Sequence, residues 1–258
     1  MHRSARQAAI LRHLDLHGSC MVTGLAALFA VSDETIRRDI KILANKGLVE
    51  RVHGGAVLPD LFREPDFQRR LNRNAEAKKA IARAAAAQVR DGDSLMLDTG
   101  STTAYLARAL TQRSDLMVVT NCAEIARTLA TNGRNKVYLA GGEFRADDTA
   151  SFGAAAIRFV ERFRVRHAVL SIGAIAAADG FMDFHLSEAE FSRAVIARAN
   201  RVMVVADHSK FAAQAPVRVC GFAEIDVLIT DRAPPAAIAR QLDEAGVRVT
   251  IAEGRGVT

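Results

Sequence analysis

The segment VSDETIRRDI, residues 31–40, predicts a short capped helix with one buried face. Ser32 is a favourable N-cap residue, because its hydroxyl can accept hydrogen bonds from unpaired backbone N–H groups of the first turn. The acidic pair that follows it suits the positive end of the helix dipole. Ile36, Ile40 and Leu43 recur at helical spacing and therefore form one apolar stripe. The opposite face of this helix is then polar and cationic.

That polar face has the composition of a helix that contacts DNA. Arg37 and Arg38 lie on its second turn, Thr35 precedes them and Lys41 follows. A short, rigid helix that presents such side chains fits the major groove of duplex DNA. The sequence therefore predicts a recognition helix.

The segments on either side complete a winged helix-turn-helix. An amphipathic helix that ends at Gly18 and a short helix over residues 25–29 precede the recognition helix. After it, residues 48–52 alternate like a strand, and a turn at Gly54 and Gly55 leads into a second strand. The alternative is a three-helix structural bundle with solvated arginines. The joint occurrence of cap, apolar stripe, arginine pair and basic wing favours DNA binding.

The charge distribution agrees with a polyanionic partner at the N-terminal end. The 258 residues have a formal net charge of +6. Residues 1–57 contribute +3 and residues 58–90 contribute +4, so the remainder is close to neutral. We expect double-stranded DNA to bind this end, with an affinity that falls steeply as salt increases.

Other classes of site have little support. Cys20, Cys122 and Cys220 are far apart and form no CxxC pair, and the seven histidines show no metal-ligand spacing. We therefore predict no metal site, no cofactor and no disulfide. The chain has no apolar run long enough to span a membrane and no secretory leader, so we expect a cytoplasmic protein without membrane contact.

The N-terminal region resembles a known family. Residues 31–39, together with Leu43 and residues 47–56, are similar to the N-terminal signature of the DeoR family of bacterial transcriptional regulators. In that family the helix with the arginine pair reads operator DNA. The resemblance therefore implies that the DNA-binding residues are Ser32, Thr35, Arg37, Arg38, Lys41, Arg51 and His53.

A proline-containing segment separates this region from the rest of the chain. Pro59 and Pro65 interrupt the periodicity, so we predict a DNA-binding domain over residues 1–57. A linker with a connecting helix is predicted for residues 58–92, where one long helix begins at Phe67 and continues through Val89. This helix is either a solvated linker with a basic face or an element that couples the two domains.

Residues 93–258 have the pattern of an α/β domain. Short apolar runs alternate with helical segments, which predicts a mostly parallel sheet covered on both faces. The predicted strands cover residues 95–97, 117–119, 137–139, 168–172, 202–205 and 227–229. The predicted helices cover residues 101–111, 122–132, 153–162, 187–199 and 235–245.

Ligands of such sheets bind beyond the carboxyl ends of the strands. The segment after the first strand is Asp98, Thr99, Gly100, Ser101, Thr102 and Thr103. Its glycine permits close approach of the backbone, and its hydroxyls at a helix N-terminus can bind an anion. No Walker lysine follows, so we expect a single phosphate ester rather than a nucleoside triphosphate. The alternative is a capped helix start without a ligand.

Further polar residues follow the other strands and converge on the same edge. Arg145 and Lys210 can neutralise a phosphate, whereas Glu188 and Asp207 can bind hydroxyl groups. The remaining predicted effector-binding residues are Thr120, Asn121, Gly141, Gly142 and Gly173.

This second half resembles the effector domain of the same family. The resemblance is carried by residues 98–103, 119–121, 139–142 and 207–211, with Arg145 and Gly153. It implies a fold similar to ribose-5-phosphate isomerase and a phosphorylated sugar or related metabolite as effector. Residues 181–184 with Glu188, and residues 207–235, look most like the glycerol-3-phosphate regulon repressors, so glycerol 3-phosphate is the expected effector.

A sugar-phosphate isomerase with an accessory DNA-binding domain is the main alternative. The fourth strand ends in Ser171-Ile172-Gly173, without the acidic residues of the isomerases that the domain resembles, and their lysine-bearing glycine turn is also missing. A phosphatase of the haloacid-dehalogenase type would need a second aspartate where Gly100 stands. We therefore predict a repressor rather than an enzyme, with no catalytic residues. It is expected to be a homo-oligomer, either dimer or tetramer, because one recognition helix binds DNA weakly.

Overall fold

The computed structural model describes residues 2–17, 19–57, 64, 66–131, 133–211 and 213–253. The chain divides into two compact units, Met1–Arg63 and Glu64–Thr258. Each unit has its own hydrophobic core. The α/β architecture with an N-terminal winged helix-turn-helix, predicted from the sequence, is confirmed.

The first unit contains three helices and a small antiparallel sheet. Its elements are α1 (Arg3–His17), β1 (Ser19–Met21), α2 (Val22–Phe29), α3 (Asp33–Asn45), β2 (Glu50–Val52) and β3 (Gly55–Val57). The sheet order is β1-β3-β2. Apolar residues of all three helices form one core, and the predicted stripe of Ile36, Ile40 and Leu43 is at most 2% exposed. The predicted helix end at Gly18 lies outside the described residues.

The wing differs from its prediction at the turn. Gly55 is a strand residue that pairs with Val52 and Met21, so the turn consists of His53 and Gly54. Gly54 has a φ of +73°, a conformation that glycine adopts without steric cost. A Cβ atom at Gly55 would lie 2.0 Å from the carbonyl oxygen of Cys20, because the extra strand β1 passes directly beside it. The sequence pattern did not predict β1.

The second unit is built on a seven-stranded sheet in which every neighbouring pair is parallel. The order is β15-β14-β12-β9-β4-β5-β6. All six predicted strands are present, and a seventh strand that was not predicted, β15, pairs with β14 at one edge of the sheet. The strands are β4 (Ser94–Leu97), β5 (Met117–Thr120), β6 (Lys136–Leu139), β9 (Val165–Leu170), β12 (Ala199–Val205), β14 (Val227–Thr230) and β15 (Arg248–Ile251).

Three helices line each of the two cores that the sheet separates. One core contains apolar residues of α5 (Ala75–Ala86), α6 (Ser101–Leu110) and α7 (Ala123–Ala130). The other contains residues of α8 (Ala154–Val160), α9 (Leu186–Ile196) and α10 (Ala236–Glu244). Successive residues of a strand enter opposite cores, as Leu95 and Met96 do. The helix predictions are therefore confirmed to within a few residues.

Two small antiparallel sheets were not predicted. One is a hairpin of β7 (Glu143–Arg145) and β8 (Ala150–Phe152), and the other has the order β10-β11-β13. The latter contains β10 (Ala174–Ala176), β11 (Gly180–Asp183) and β13 (Val217–Cys220). Strands of three or four residues are too short to show a reliable alternation of polar and apolar side chains.

The predicted long helix over residues 67–89 is wrong, because the structure contains two helices. A six-residue helix, α4 (Phe67–Asn72), is separated from α5 by Arg73 and Asn74. Asn74 adopts the left-handed conformation with a φ of +53°, and its side-chain amide donates a 2.8 Å hydrogen bond to Asp207. Asparagine tolerates this conformation better than most residues. Ile81 of α5 is fully buried against the sheet, so α5 is part of the α/β core.

We predict opposite stability effects for alanine at two glycines of the first unit. Gly55→Ala should lower the free energy of unfolding by about 1–3 kcal/mol, because the new Cβ collides with the β1 backbone. Gly24→Ala should raise it by about 0.5–1 kcal/mol, because Gly24 lies inside α2 with no atom within 4 Å of the added Cβ. Urea unfolding of both variants measures the difference, and a stable Gly55→Ala protein would contradict the observed wing register.

Candidate nucleic-acid interface and ligand cavity

The helix α3 has the predicted cap. The Ser32 hydroxyl accepts a 3.3 Å hydrogen bond from the backbone N–H of Thr35, and the two side-chain oxygens lie 2.9 Å apart. Asp33 and Glu34 occupy the first turn, where the helix dipole favours negative charge. The start of α3 is thus fixed by local interactions of its own residues.

The predicted DNA-binding cations all lie on the surface of the first unit. Arg37, Arg38 and Lys41 are exposed on the side of α3 away from the core. Arg51 and His53 are exposed on the wing. The structure therefore leaves these five side chains accessible on α3 and on the adjacent hairpin.

A buried ion pair that the sequence did not predict holds α3 against α1. Asp39 is 1% exposed, and its carboxylate accepts a 2.5 Å hydrogen bond from Nε of Arg6 and a 3.1 Å hydrogen bond from Gln7. The only sequence signal was an acidic residue next to the apolar stripe. This contact fixes the orientation of α3, and with it the direction of the arginine pair.

The second unit contains a cavity of about 370 Å³ of empty space, open to solvent. Four predicted residues line it, namely Asp98, Thr99, Asn121 and Glu188. The other lining residues are Glu64, Arg70, Asp148, Phe152, Ser171, Ile172, Asp183, Phe191 and Ser192.

The floor of the cavity joins the two central strands. Both carboxylate oxygens of Asp98, directly after β4, accept a hydrogen bond from the backbone N–H of Ser171, after β9, at 2.9 and 3.0 Å. Burial raises the pKa of Asp98 well above its ordinary value, although the Ser171 hydrogen bond opposes this. A Cβ at Gly100 would lie 2.3 Å from the Cβ of Ser171, so only glycine fits there. The glycine of the predicted anion-binding segment thus has a packing role.

Two of the four hydroxyl groups in the segment from Thr99 to Thr103 have partners within the protein. The Thr99 hydroxyl donates to the carbonyl oxygen of Asp148, and the Thr103 hydroxyl to that of Gly100, both at 3.0 Å. Ser101 and Thr102 are buried at the helix N-terminus and do not line the cavity.

Two arginines connect the carboxylates of the cavity. The Arg70 guanidinium contacts Glu64 at 2.7 Å and Asp148 at 2.6 Å. Arg145 pairs with Asp148 at 2.5 Å and also with Glu188, and its guanidinium lies 4.3 Å from the ring centroid of Phe152. Arg145 was predicted from the sequence. Arg70 was not, because it belongs to a helix interpreted as a linker.

Two buried polar atoms at this cavity have no hydrogen-bond partner among the described residues. They are Nε of Arg70, a donor, and Oδ1 of Asn121, an acceptor. The amide nitrogen of Asn121 is satisfied by the carbonyl oxygen of Ser151 at 3.1 Å, which leaves only Oδ1 unpaired. Buried polar groups in folded proteins are normally paired, so these two atoms are unsatisfied hydrogen-bonding groups beside the cavity.

The remaining predicted residues surround the cavity without lining it. Asp207 accepts hydrogen bonds from Asn74 at 2.8 Å and from the backbone of Ser209 at 3.0 Å, and Nζ of Lys78 lies 3.9 Å away. Burial alone would raise the pKa of Asp207, yet Ser209 and the nearby lysines hold it below its ordinary value. Lys210 is half-buried.

The other predicted positions have local structural roles. The Thr120 hydroxyl accepts from the backbone of Cys122, and Gly141 is exposed. A Cβ at Gly142 would lie 2.4 Å from the carbonyl oxygen of Phe152, and one at Gly173 would lie 2.9 Å from Oδ1 of Asp183. These two glycines permit close packing of the loops at the carboxyl edge.

Three side chains at the rim could offer ligands to a metal ion. One ligand atom each of Glu64, His185 and Glu188 lies within 4.8 Å of the others. Both acidic side chains already have an arginine as partner, Arg70 for Glu64 and Arg145 for Glu188. The sequence did not predict this grouping.

We predict that Glu188 makes stability depend on pH. Burial raises the pKa of Glu188 to about 8; Glu64 adds to this effect and Arg145 opposes it. The folded state therefore holds a proton that the unfolded state releases near pH 4.5, so the contribution to stability is lost as pH rises towards 8. The free energy of unfolding of the wild type, minus that of Glu188→Gln, should fall by about 1–3 kcal/mol between pH 5 and pH 8.

Glu190→Gln is the matched control, because Glu190 is exposed on the same helix. Its difference from the wild type should not drift over this range. A pH-independent difference for Glu188→Gln would show that this carboxyl is ionised throughout the range.

Comparison with known proteins agrees with both halves of this description. Residues 6–61 match the model of the DeoR-like helix-turn-helix domain, and residues 73–232 match that of the DeoR C terminal sensor domain. The HTH-type transcriptional repressor CsqR of Escherichia coli is 34% identical over 95% of this chain and 94% of its own length. The glycerol-3-phosphate regulon repressor of Escherichia coli is 33% identical over 97% of this chain and 100% of its own.

A solved structure is also similar at a lower level. A D-ribose-5-phosphate isomerase in complex with phospho-erythronic acid aligns over 53% of this chain and 54% of its own, with 19% identity and a TM-score of 0.40. An alignment at this level says nothing about ligand or activity. None of the described helices is long and apolar enough to cross a membrane. The full-length relatives and the two domain matches confirm the sequence-based assignment: the chain belongs to the DeoR family of transcriptional regulators, and it is a regulator rather than an enzyme.

Proposed function

We propose that this protein is a repressor that binds operator DNA through α3 and the wing. The exposed arginine pair carries this proposal, because the capped start of α3 and the buried Asp39–Arg6 contact fix the helix that presents it. Arg37 and Arg38 contact base edges or phosphates in the major groove, and Lys41, Arg51 and His53 contact the backbone. In this proposal the protein acts in the cytoplasm. It is a homo-oligomer, because two recognition helices are needed to read a symmetric operator.

The effector in this proposal is a small phosphorylated metabolite bound in the cavity of the second unit. The unpaired Nε of Arg70 and Oδ1 of Asn121 carry this part, since one donates to an anion and the other accepts from a hydroxyl. Lys210 does not line the cavity but lies near it, and its positive charge stabilises the bound phosphate group. Glycerol 3-phosphate is the first candidate, because a relative of similar length is a glycerol-3-phosphate regulon repressor. No resident cofactor or metal is needed.

We predict that each arginine of the pair is required for DNA binding. Arg37→Ala and Arg38→Ala should each weaken binding by about 1–3 kcal/mol, because each removes a guanidinium from the groove. Fluorescence anisotropy measures the affinity for a duplex that the wild type selects from a random library. Arg12→Ala, an exposed arginine of α1, removes the same charge and should bind almost as the wild type does. Wild-type affinity in both folded test variants would rule out α3 as the recognition helix.

We predict that a phosphorylated metabolite stabilises the protein through the cavity. Glycerol 3-phosphate at ~100 times its Kd should add about 2.7 kcal/mol to the free energy of unfolding, measured as a rise in Tm. Glycerol and inorganic phosphate serve as the comparison compounds. Lys210→Ala should respond less, whereas Lys136→Ala, an exposed lysine on β6, should respond as the wild type does. If no phosphate ester raises Tm, the cavity is not a phosphate site.

A further inference from the structure

The first residue of the second unit places its carboxylate inside the cavity. Glu64 pairs with Nη1 of Arg70 at 2.7 Å, and its side chain is only 7% exposed. Nη2 of Arg70 pairs with Asp148 at 2.6 Å, and Nε has no partner among the described residues. The Arg70 guanidinium is thus paired with Asp148 through Nη2 and with Glu64 through Nη1, while its Nε is unpaired among the described residues.

This position is electrostatically unfavourable for a carboxylate. A carboxylate oxygen of Glu64 lies within 4.8 Å of one of Glu188, and Glu64 raises the pKa of both Glu188 and Asp183. A buried ionised carboxylate is tolerated only when a partner compensates its charge. Arg70 is the direct partner of Glu64, and the charge of Lys210 also acts on this carboxylate.

An effector phosphate and the Glu64 carboxylate require the same groups. Guanidinium binds carboxylate and phosphate oxygens in the same bidentate manner. Nη2 of Arg70 is already paired with Asp148, so an anion that binds the end of the guanidinium needs Nη1. Nη1 is the donor that Glu64 holds, so the anion and Glu64 compete for it.

We propose that Glu64 is a tethered competitor of the effector's anionic group: it occupies Arg70 when the cavity is empty and leaves when a phosphorylated effector binds. This proposal rests on the phosphate-binding role proposed above for the cavity. Since the chain N-terminal to Glu64 leads to the DNA-binding unit, the exchange reports occupancy of the cavity to that unit. An effector that bound equally well with Glu64 in place or displaced would shift no population.

Removal of the charge of Glu64 tests this exchange in the full-length protein. Glu64→Gln keeps the size of the side chain but no longer competes as an anion. It should bind glycerol 3-phosphate about tenfold more tightly than the wild type does, as measured by calorimetry at pH 7.5. The effector should also change the affinity of Glu64→Gln for the selected duplex less than it changes that of the wild type.

Two further variants define the origin of the effect. Glu64→Asp keeps the charge but shortens its reach to Arg70, so its affinity for glycerol 3-phosphate should lie between those of the wild type and Glu64→Gln. It also keeps the proposal testable if Glu64→Gln does not fold. Asp66→Asn removes an exposed carboxylate two residues away and should leave the affinity unchanged.

The outcomes separate this proposal from the one on which it rests. If the wild type binds glycerol 3-phosphate and Glu64→Gln binds it with the same Kd, the proposed competition by Glu64 is refuted and the proposed effector site is retained. If neither protein binds glycerol 3-phosphate or any other phosphate ester, the effector site itself is overturned, together with the tether. Binding by Glu64→Gln alone would support strong competition by Glu64.

Discussion

The seven strands of the main sheet all run in the same direction, and the cavity of the second unit depends on this constraint. Because the strands are parallel, their carboxyl ends meet at one edge, and every loop that leaves a strand begins there. Asp98 after β4, Asn121 after β5 and Ser171 after β9 are far apart in sequence but line one cavity. The hydrogen bonds between Asp98 and Ser171 fix the two central loops relative to each other.

The same constraint explains which cavity residues could be predicted from the sequence. Asp98, Thr99 and Asn121 follow β4 and β5, which are short but continuously apolar runs, so the parallel pattern was sufficient to place them at one edge. Arg70 and Asp183 gave no such signal, since one belongs to a six-residue helix before the first strand of the sheet and the other to a four-residue antiparallel strand. Their place in the cavity depends on tertiary packing, and the periodicity of the sequence carries no information about that packing.

The helix α3 was predictable because its determinants are local. The cap, the apolar stripe and the exposed arginines of α3 all lie within thirteen residues and follow from helical geometry. The break after α4 is the opposite case. Asn74 is held in its left-handed conformation by Asp207, which is 133 residues away in sequence. A helical pattern of alanine and charged residues shows no sign of that partner, so one continuous helix was the wrong expectation.

The contacts of Asp207 also limit where the DNA-binding domain of such a regulator can be exchanged for that of another. Asp207 accepts a hydrogen bond from Asn74, at the start of α5, and Lys78 of α5 lies 3.9 Å from its carboxylate, so α5 is joined to the loop after β12. Arg70 of α4 pairs with Asp148 in the same way. Recombination within or after these helices would leave Asp148 or Asp207 with foreign partners. A chimera that joins this sensor to another DNA-binding domain therefore needs its crossover before Glu64, and the helices α4 and α5 are inherited with the sensor.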